Sequence, residues 1–531
     1  MAISDRKPRR ARSLPFCVAA LVLFGLCLLL MWPGLAAYDT IKQYEQAISG
    51  HYDDWHPPIM ARLWALMLAA GGRGTAPMLV LQLGLYWIGF GLFAGALARI
   101  GAPRVAAATL LVALSPIVAN WLPVIVKDTQ MIAALVAATG IVAWHRLGDG
   151  HLRQAAPLPE REGSGVGSPA DRATPAPCEP TPSPSLSGRG ETGLPSLSGR
   201  GGAGGRMPWW AAALAGLLLA YAALVRANAV FAVVPFALML GGWGGVRRWW
   251  TRALLLAIAT LLVIGISDPI NHRLFDAERS GVSGTLPLFD LVGIAHDAPL
   301  AAPPGLTPPE WAQAEKLGCY TPFYWDPFGD ATRCGGMGDA ILDEDDGAPP
   351  IMRTWIATIA AHPLAYAEHR LAHLDATLRI ATPADEKSAA APFRSDANPY
   401  ALGGPATSLT ATLKTVADAI ERTPLGVPAV WLVFLCGIGW TLLGTAPQPA
   451  RDLGLALAFS GMTMTASFAV VSIASDLRYH LWLIVASGLA VLALAGCRGI
   501  ARRRLGWTLG VTLLAVVASA LARAHGIALR Y

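Results

Sequence analysis

Long apolar runs separated by short clusters of Arg and Lys constrain this chain more than any other feature. Such runs start near Phe16, Pro77, Val105, Thr129, Trp209, Ala227, Thr251, Val427, Leu453, Leu481 and Gly506. A helix needs about 17 to 25 mostly apolar residues to cross a bilayer, and helices are favoured there because lipid offers no partner to an open backbone. The expectation is an all-α integral membrane protein with about eleven transmembrane helices. Only 14% of residues are charged and 54% are hydrophobic, against about 25% charged in an ordinary soluble domain. A soluble enzyme is excluded on that ground.

The formal charge of +6 sits in clusters between apolar runs, which reads as membrane sidedness and gives no nucleic-acid partner. With Arg6, Lys7, Arg9, Arg10 and Arg12 inside, alternate crossings place Arg99 and Arg104, His145 to Arg153, Arg247 to Arg252, Arg451, and Arg498 to Arg504 on the same, cytoplasmic side. That agreement requires Ile59 to Ala70 not to cross; it is short enough for a juxtamembrane helix. A signal peptide ending near Ala36-Ala37 is the competing reading of the N-terminus, but its apolar core exceeds an ordinary h-region. The localisation expected is a multi-pass protein of the cell inner membrane.

This topology divides the chain. Residues 1–15 form a basic cytoplasmic terminus, and 16–147 a first transmembrane module whose outer loop spans 34–75. Residues 148–207 hold an insertion rich in Pro, Gly and Ser, with Pro184 to Gly190 repeated at Pro195 to Gly201, a composition expected to stay disordered. Helices return over 208–267, a large periplasmic loop spans 268–425, and 426–531 carries the last crossings. That loop is too long to lack structure of its own. It includes an amphipathic stretch, Ile351 to Ile380, read as a membrane-surface helix or lid, and Pro- and Gly-rich pieces around Ala301 to Pro309 and Thr382 to Pro405, read as mobile loops. Of the seven cysteines only Cys319 and Cys334 share the outer side, where an oxidising compartment permits a disulfide whose geometry the sequence leaves open.

Polar residues costly near lipid collect on the outer side although they come from distant crossings. Asp39 and His56 lie in the first outer loop, Lys127 and Asp128 in the second, Arg226 and Asn228 in the third, and Asp476, Arg478 and His480 in the fifth. Each has a plainer explanation: Lys127 with Asp128, or Asp476 with Arg478, as charge pairs; Arg226 snorkelling; Asp39 capping a helix that begins near Thr40. Together they supply a carboxylate that can accept a proton and several cations that can hold a phosphate, the parts needed to displace a phosphate leaving group.

At these residues the chain resembles the GT-C superfamily of membrane glycosyltransferases, in its protein O-mannosyltransferase and aminoarabinose transferase branch. The resemblance rests on the acidic residue after the first span, the His56-Pro57-Pro58 turn leading into an apolar helix with Trp64, and Asp128 before the fourth span. Arg226-Ala227-Asn228 and Asp476-Leu477-Arg478-Tyr479-His480 resemble motifs of bacterial relatives, and the best-matched part is Trp32 to His145. Asp39 is followed by Thr40 where the mannosyltransferases have an acidic pair, so a divalent metal stays an open option. The resemblance implies a polyprenyl-phosphate-linked sugar as donor, a lipid, glycan or protein of the envelope as acceptor, and inversion at the anomeric carbon. It implies Asp39 as general base, Lys127, Arg226 and Arg478 at the departing phosphate, Asp128 positioning Lys127 or the acceptor, and His56 shaping the first loop.

Other constellations point less far. His369 and His373, four apart beside Glu368 and Asp375, have helical spacing for a metal pair, yet Arg370 stands where a zinc protease carries Glu; two surface histidines are the simpler expectation. Asp343 to Asp346 reads as a solvated acidic loop because it lacks the spaced ligands of a calcium site. Trp32, Trp121, Trp209, Trp210, Trp249 and Trp250 read as interfacial anchors, and Trp311 and Trp325 as core residues that could instead stack on a sugar. A polysaccharide polymerase or ligase and a lipid or glycan flippase remain the rival functions; the flippase predicts polar sites at mid-depth.

Overall fold

Apolar runs become helices here because each buries its backbone bonds internally. The computed structural model of the chain describes residues 9–154, 207–242, 248–298, 300–330, 332–342, 350–382 and 391–526. Residues 148–154, expected to begin the Pro-rich insertion, instead continue α7; the rest of the insertion, 155–206, and Asp343 to Asp346 lie outside the described residues. The first half contains α1 (Arg9–Met31), α2 (Tyr38–Ser49), α3 (Pro58–Ala69), α4 (Ala76–Arg99), α5 (Pro103–Ala113), α6 (Pro116–Ala119), α7 (Lys127–Gln154), α8 (Trp209–Val225), α9 (Val230–Leu240) and α10 (Trp249–Pro269). Then come α11 (Thr285–Asp297), α12 (Pro308–Lys316), α13 (Gly335–Leu342), α14 (Ile351–Ala361), α15 (Pro363–Leu378) and α16 (Ser408–Glu421). The chain closes with α17 (Pro428–Gly444), α18 (Pro449–Val471), α19 (Leu481–Ala495) and α20 (Arg502–Ala524).

Among the described residues seven helices are long and apolar enough to cross a membrane: α1, α4, α7, α10, α18, α19 with its preceding turn, and α20. A membrane protein follows. At four of the eleven expected positions the helices are shorter, Pro103–Ala113, Trp209–Val225, Ala227–Leu240 and Pro428–Gly444, of 10–17 residues. The run expected from Val105 is broken, since α5 stops at Ala113 and Ser115 turns extended before Pro116, as a residue before proline tends to. The Ile59 piece forms α3, twelve residues that bury Met60, Ala61 and Trp64; at about 1.5 Å per residue it is too short to cross.

Close approach of α4 and α7 depends on missing side chains. A Cβ on Gly140 would overlap the Gly89 carbonyl, and one on Gly89 the Val136 carbonyl, the small-residue contact common between helices in lipid. Beside this seam Gln130 donates to Gln82 Oε1 at 2.9 Å, Gln82 to the Leu122 carbonyl at 2.6 Å, and Tyr221 to Gln130 at 3.3 Å. The network ties α4, α7 and α8 below the loop that carries Lys127. The basic ends of several helices meet at the opposite pole, where Arg99 donates to Trp144, Arg146 to Leu240 and Gln448 to Arg498, all through main-chain oxygens.

Helices α11 to α15 form an outer unit with its own core of Leu288, Leu291, Val292, Trp311, Cys319, Phe328, Cys334 and Ile341, whereas α16 packs on the main helical core through Leu413 and Ile420. Cys319 and Cys334 are disulfide-bonded. His369 and His373 are not surface residues: both are fully buried. His369 lies 3.1 Å from Asp290, Arg370 pairs with the same carboxylate, Trp355 donates to it at 2.8 Å, and His373 contacts the Pro322 carbonyl at 2.6 Å. The expected single amphipathic stretch is two helices, because Pro363 has no amide to continue α14.

Two junctions join this unit to the first outer loop. Strand β1 (Tyr52–Asp53) pairs in parallel with β2 (Ala277–Glu278). Asp396 N donates to the Ala36 carbonyl at 2.8 Å and Gly404 N to the Gly34 carbonyl at 2.7 Å. The piece around Asp396 to Gly404, expected to be a mobile loop, is therefore tied by backbone bonds to the turn after α1.

Candidate active site

Asp39 owes its position to the turn between α1 and α2. Leu35 forms an isolated parallel bridge with Val124, which brings the first loop against the segment entering α7. Thr40 Oγ1 accepts from Ala37 N at 3.0 Å and donates to the Ile125 carbonyl at 2.6 Å. Thr40 thus does the capping expected of Asp39, whose carboxylate is left to face the cluster from the first turn of α2.

Three further segments arrive at the same place. Lys127 and Asp128 open α7; Arg226 is the extended residue that ends α8; Arg478 and Tyr479 form the short turn before α19. Arg226 Nη1 lies 2.9 Å and 3.0 Å from the two oxygens of Asp128, and Arg226 Nε donates to Asn228 Oδ1 at 3.1 Å. Arg226 is therefore paired with a carboxylate, not snorkelling. Arg478 lies 3.0 Å from Asp476, 3.9 Å from Asp39 and 3.9 Å from Asp128. The Tyr479 ring carries both guanidinium groups, at 4.2 Å for Arg226 and 5.3 Å for Arg478, a cation–π arrangement.

Lys127 makes no ion pair within 4 Å among the described residues, although Asp39 and Asp128 are its nearest acids. His56 is buried, and its Nδ1 has no hydrogen-bond partner among the described residues. Pro57 and Pro58 start α3 immediately after it, which fixes where the imidazole emerges. His480 departs from the group: it is buried against Phe468, with Arg379 as its nearest charge. Trp121, expected as an interfacial anchor, is buried and faces Arg478 at 6.0 Å.

The electrostatics follow from this crowding. Burial opposes ionisation of Asp39, but the cations Lys127, Arg478 and Arg226 together hold its carboxyl below the usual range. Asp476 is pushed up by burial and by Asp128 despite Arg478. His56 is lowered to about 4, first by burial and then by Lys127, so it is neutral at physiological pH. Asp326, from the outer unit, is raised by burial and by Asp476 and Asp39. Nothing in the sequence flagged Asp326, because its link to the cluster runs through Trp325 N donating to the Ile473 carbonyl at 3.0 Å. Among the described residues no three or more His, Cys, Asp or Glu are placed to hold a metal ion.

The arrangement can keep one carboxylate ionised beside three cations at the mouth of a helical bundle. No protein-family model matches the chain, and no curated protein matches it. Among solved structures, the archaeal oligosaccharyltransferase AglB from Archaeoglobus fulgidus, in complex with an inhibitory peptide and a dolichol-phosphate, is similar over 96% of this chain at 13% identity and a TM-score of 0.34. The match covers 56% of that protein's length.

Proposed function

We propose that this chain is a membrane glycosyltransferase that moves a sugar from a polyprenyl-phosphate donor to an envelope acceptor at the non-cytoplasmic face of the inner membrane. The observation that supports it most is the meeting of Asp39, Lys127, Asp128, Arg226 and Arg478, from four separate outer segments, at one pole of an apolar bundle. In this reading Asp39 takes the proton from the acceptor hydroxyl or amine as that group attacks the anomeric carbon. The bond to the phosphate oxygen breaks on the opposite face, giving inversion, and the lipid phosphate leaves with the electron pair.

Lys127 is the cation best placed to meet that phosphate, because Arg226 is already paired with the fully buried Asp128. Arg478, shared among three carboxylates, can exchange one of them for a phosphate oxygen, and its planar fork suits that exchange. Asp128 holds both arginines, and Asn228 orients Arg226. Buried charges at mid-depth would favour a flippase; the buried groups below the cluster, Gln82, Gln130 and Tyr221, are polar but carry no charge.

The test supplies purified protein with labelled polyprenyl-phosphate sugars and an envelope extract as acceptor. Asp39→Asn should lower transfer by about 10²- to 10⁴-fold, the range of a lost general base, while the variant still binds donor. Full transfer by Asp39→Asn refutes the assigned base and favours a polymerase or ligase that works without it.

A further inference from the structure

Two tryptophans from segments far apart in the chain meet beside the Asp39 cluster. Trp55 and Trp325 have ring centroids 5.6 Å apart at 52°; Trp55 is 36% exposed, and Trp325 is half-buried. Each is followed directly by a residue close enough to the cluster to feel its charges, His56 for Trp55 and Asp326 for Trp325, and Trp325 is bonded to Ile473, three residues before Asp476. The rings therefore stand at the rim of the same site.

Both rings rest on fixed supports. Trp55 N donates to Asp53 Oδ1 at 3.0 Å, Asp53 belongs to the strand paired with β2, and Asp54 accepts from Ser280 N at 2.7 Å and from its hydroxyl at 2.6 Å. Trp325 is held by the hydrogen bond its amide donates to the Ile473 carbonyl and by the Tyr324–Ala474 bridge. Its ring edge lies over Gly329, where a Cβ would come within 2.9 Å of Trp325 Cη2. Trp325 packs one side against the core of Trp311 and Phe328, while Trp55, 36% exposed, covers part of it and leaves its own outer surface open.

We infer that Trp55 and Trp325 form a platform for a pyranose ring, with Asp326 and Asp53 placed to accept hydrogen bonds from its hydroxyls. The face of an indole is electron-rich, and the C–H bonds on one face of a saturated sugar present the complementary positive edge. Stacked there, a sugar ring would reach the site between His56 and Asp326. This rests on the glycosyl-transfer reading for its role in turnover. The ring belongs either to the donor sugar or to a sugar of the acceptor.

Full-length protein in nanodiscs is examined by saturation-transfer NMR against a panel of methyl glycopyranosides. The expected result is saturation of the ring C–H protons of at least one glycoside, lost in Trp55→Ala and kept in Trp55→Phe. In parallel, the Michaelis constant of Trp55→Ala should rise about tenfold for whichever substrate carries the ring, with turnover at saturation little changed. A rise for donor alone assigns the platform to the donor sugar, and a rise for acceptor alone assigns it to the acceptor. The platform is refuted if no glycoside contacts the wild type, or if Trp55→Ala retains the saturation pattern and both constants. Those outcomes leave the Asp39→Asn test standing, whereas a platform that binds glycosides in a protein with no transfer activity would overturn the enzyme reading alone. An unchanged melting temperature for Trp55→Ala guards against a folding defect, and Gly329→Ala, which displaces Trp325 instead, should weaken the same contacts.

Discussion

Asp128 shows how one side chain can decide a site. Its carboxylate is fully buried with Arg226 against both oxygens and Arg478 at 3.9 Å, so removing it strands the Arg226 guanidinium in a desolvated place, while Arg478 keeps Asp476 and Asp39. Breaking a buried pair this way costs about 3–5 kcal/mol. Asp128→Ala should therefore lower the melting temperature in detergent clearly, and adding Arg226→Met should recover part of the loss; a single variant that melts like the wild type would contradict the pairing. The charges in this cluster were readable from the sequence because an ionised residue at a membrane boundary is expensive. Their partners were not: Lys127 and Asp128 are neighbours in sequence, yet Asp128 pairs with Arg226.

At the scale of elements, α15 carries the polar interior of the outer unit. His373 is lowered to about 3, first by burial and against its bond to the Pro322 carbonyl, and His369 is lowered by burial despite Asp290. The His373 imidazole is neutral when folded, and His369 is shifted the same way, whereas the unfolded chain binds protons near the ordinary value of 6.5. Stability from these groups is thus complete above about pH 6.5 and is lost as pH falls toward the folded values. The urea midpoint followed by near-ultraviolet dichroism should drop from about pH 7 to about pH 4, and His373→Gln should flatten that slope. Helical periodicity in Ile351 to Ile380 was visible in the sequence. The burial of its histidines was not, because it depends on Asp290 arriving from α11 and Tyr320 from the loop after α12, Tyr320 placing its hydroxyl 2.9 Å from His369.

Across the whole molecule, acids and arginines gather at one pole while Arg99, Arg146, Arg451 and Arg498 occupy the other. If the basic pole is cytoplasmic, a cysteine placed at Ser49 or Thr412 should react with an impermeant maleimide in intact cells. One at Arg498 should react only after permeabilisation. Labelling of Arg498→Cys from outside would invert the proposed orientation and move the site to the cytoplasm. The helices α10 and α20 have only 6% of their apolar windows buried, as suits helices that face lipid in this orientation.

The sequence by itself determined that the chain is a helical membrane protein and which ionisable residues sit at span boundaries, because lipid penalises open backbone and charge wherever they occur. Helix breaks at Pro116 and Pro363 were equally local, since proline acts on its own backbone, though they went unread inside longer apolar patterns. Tertiary structure alone decided that Arg226 faces Asp128, that His480 turns away, that Asp326 comes within electrostatic reach of the cluster, and that Trp55 meets Trp325. Those are long-range contacts, made by the Leu35–Val124 bridge, the β1–β2 pair and the Trp325–Ile473 bond, and no residue type or spacing within one segment specifies its distant partner.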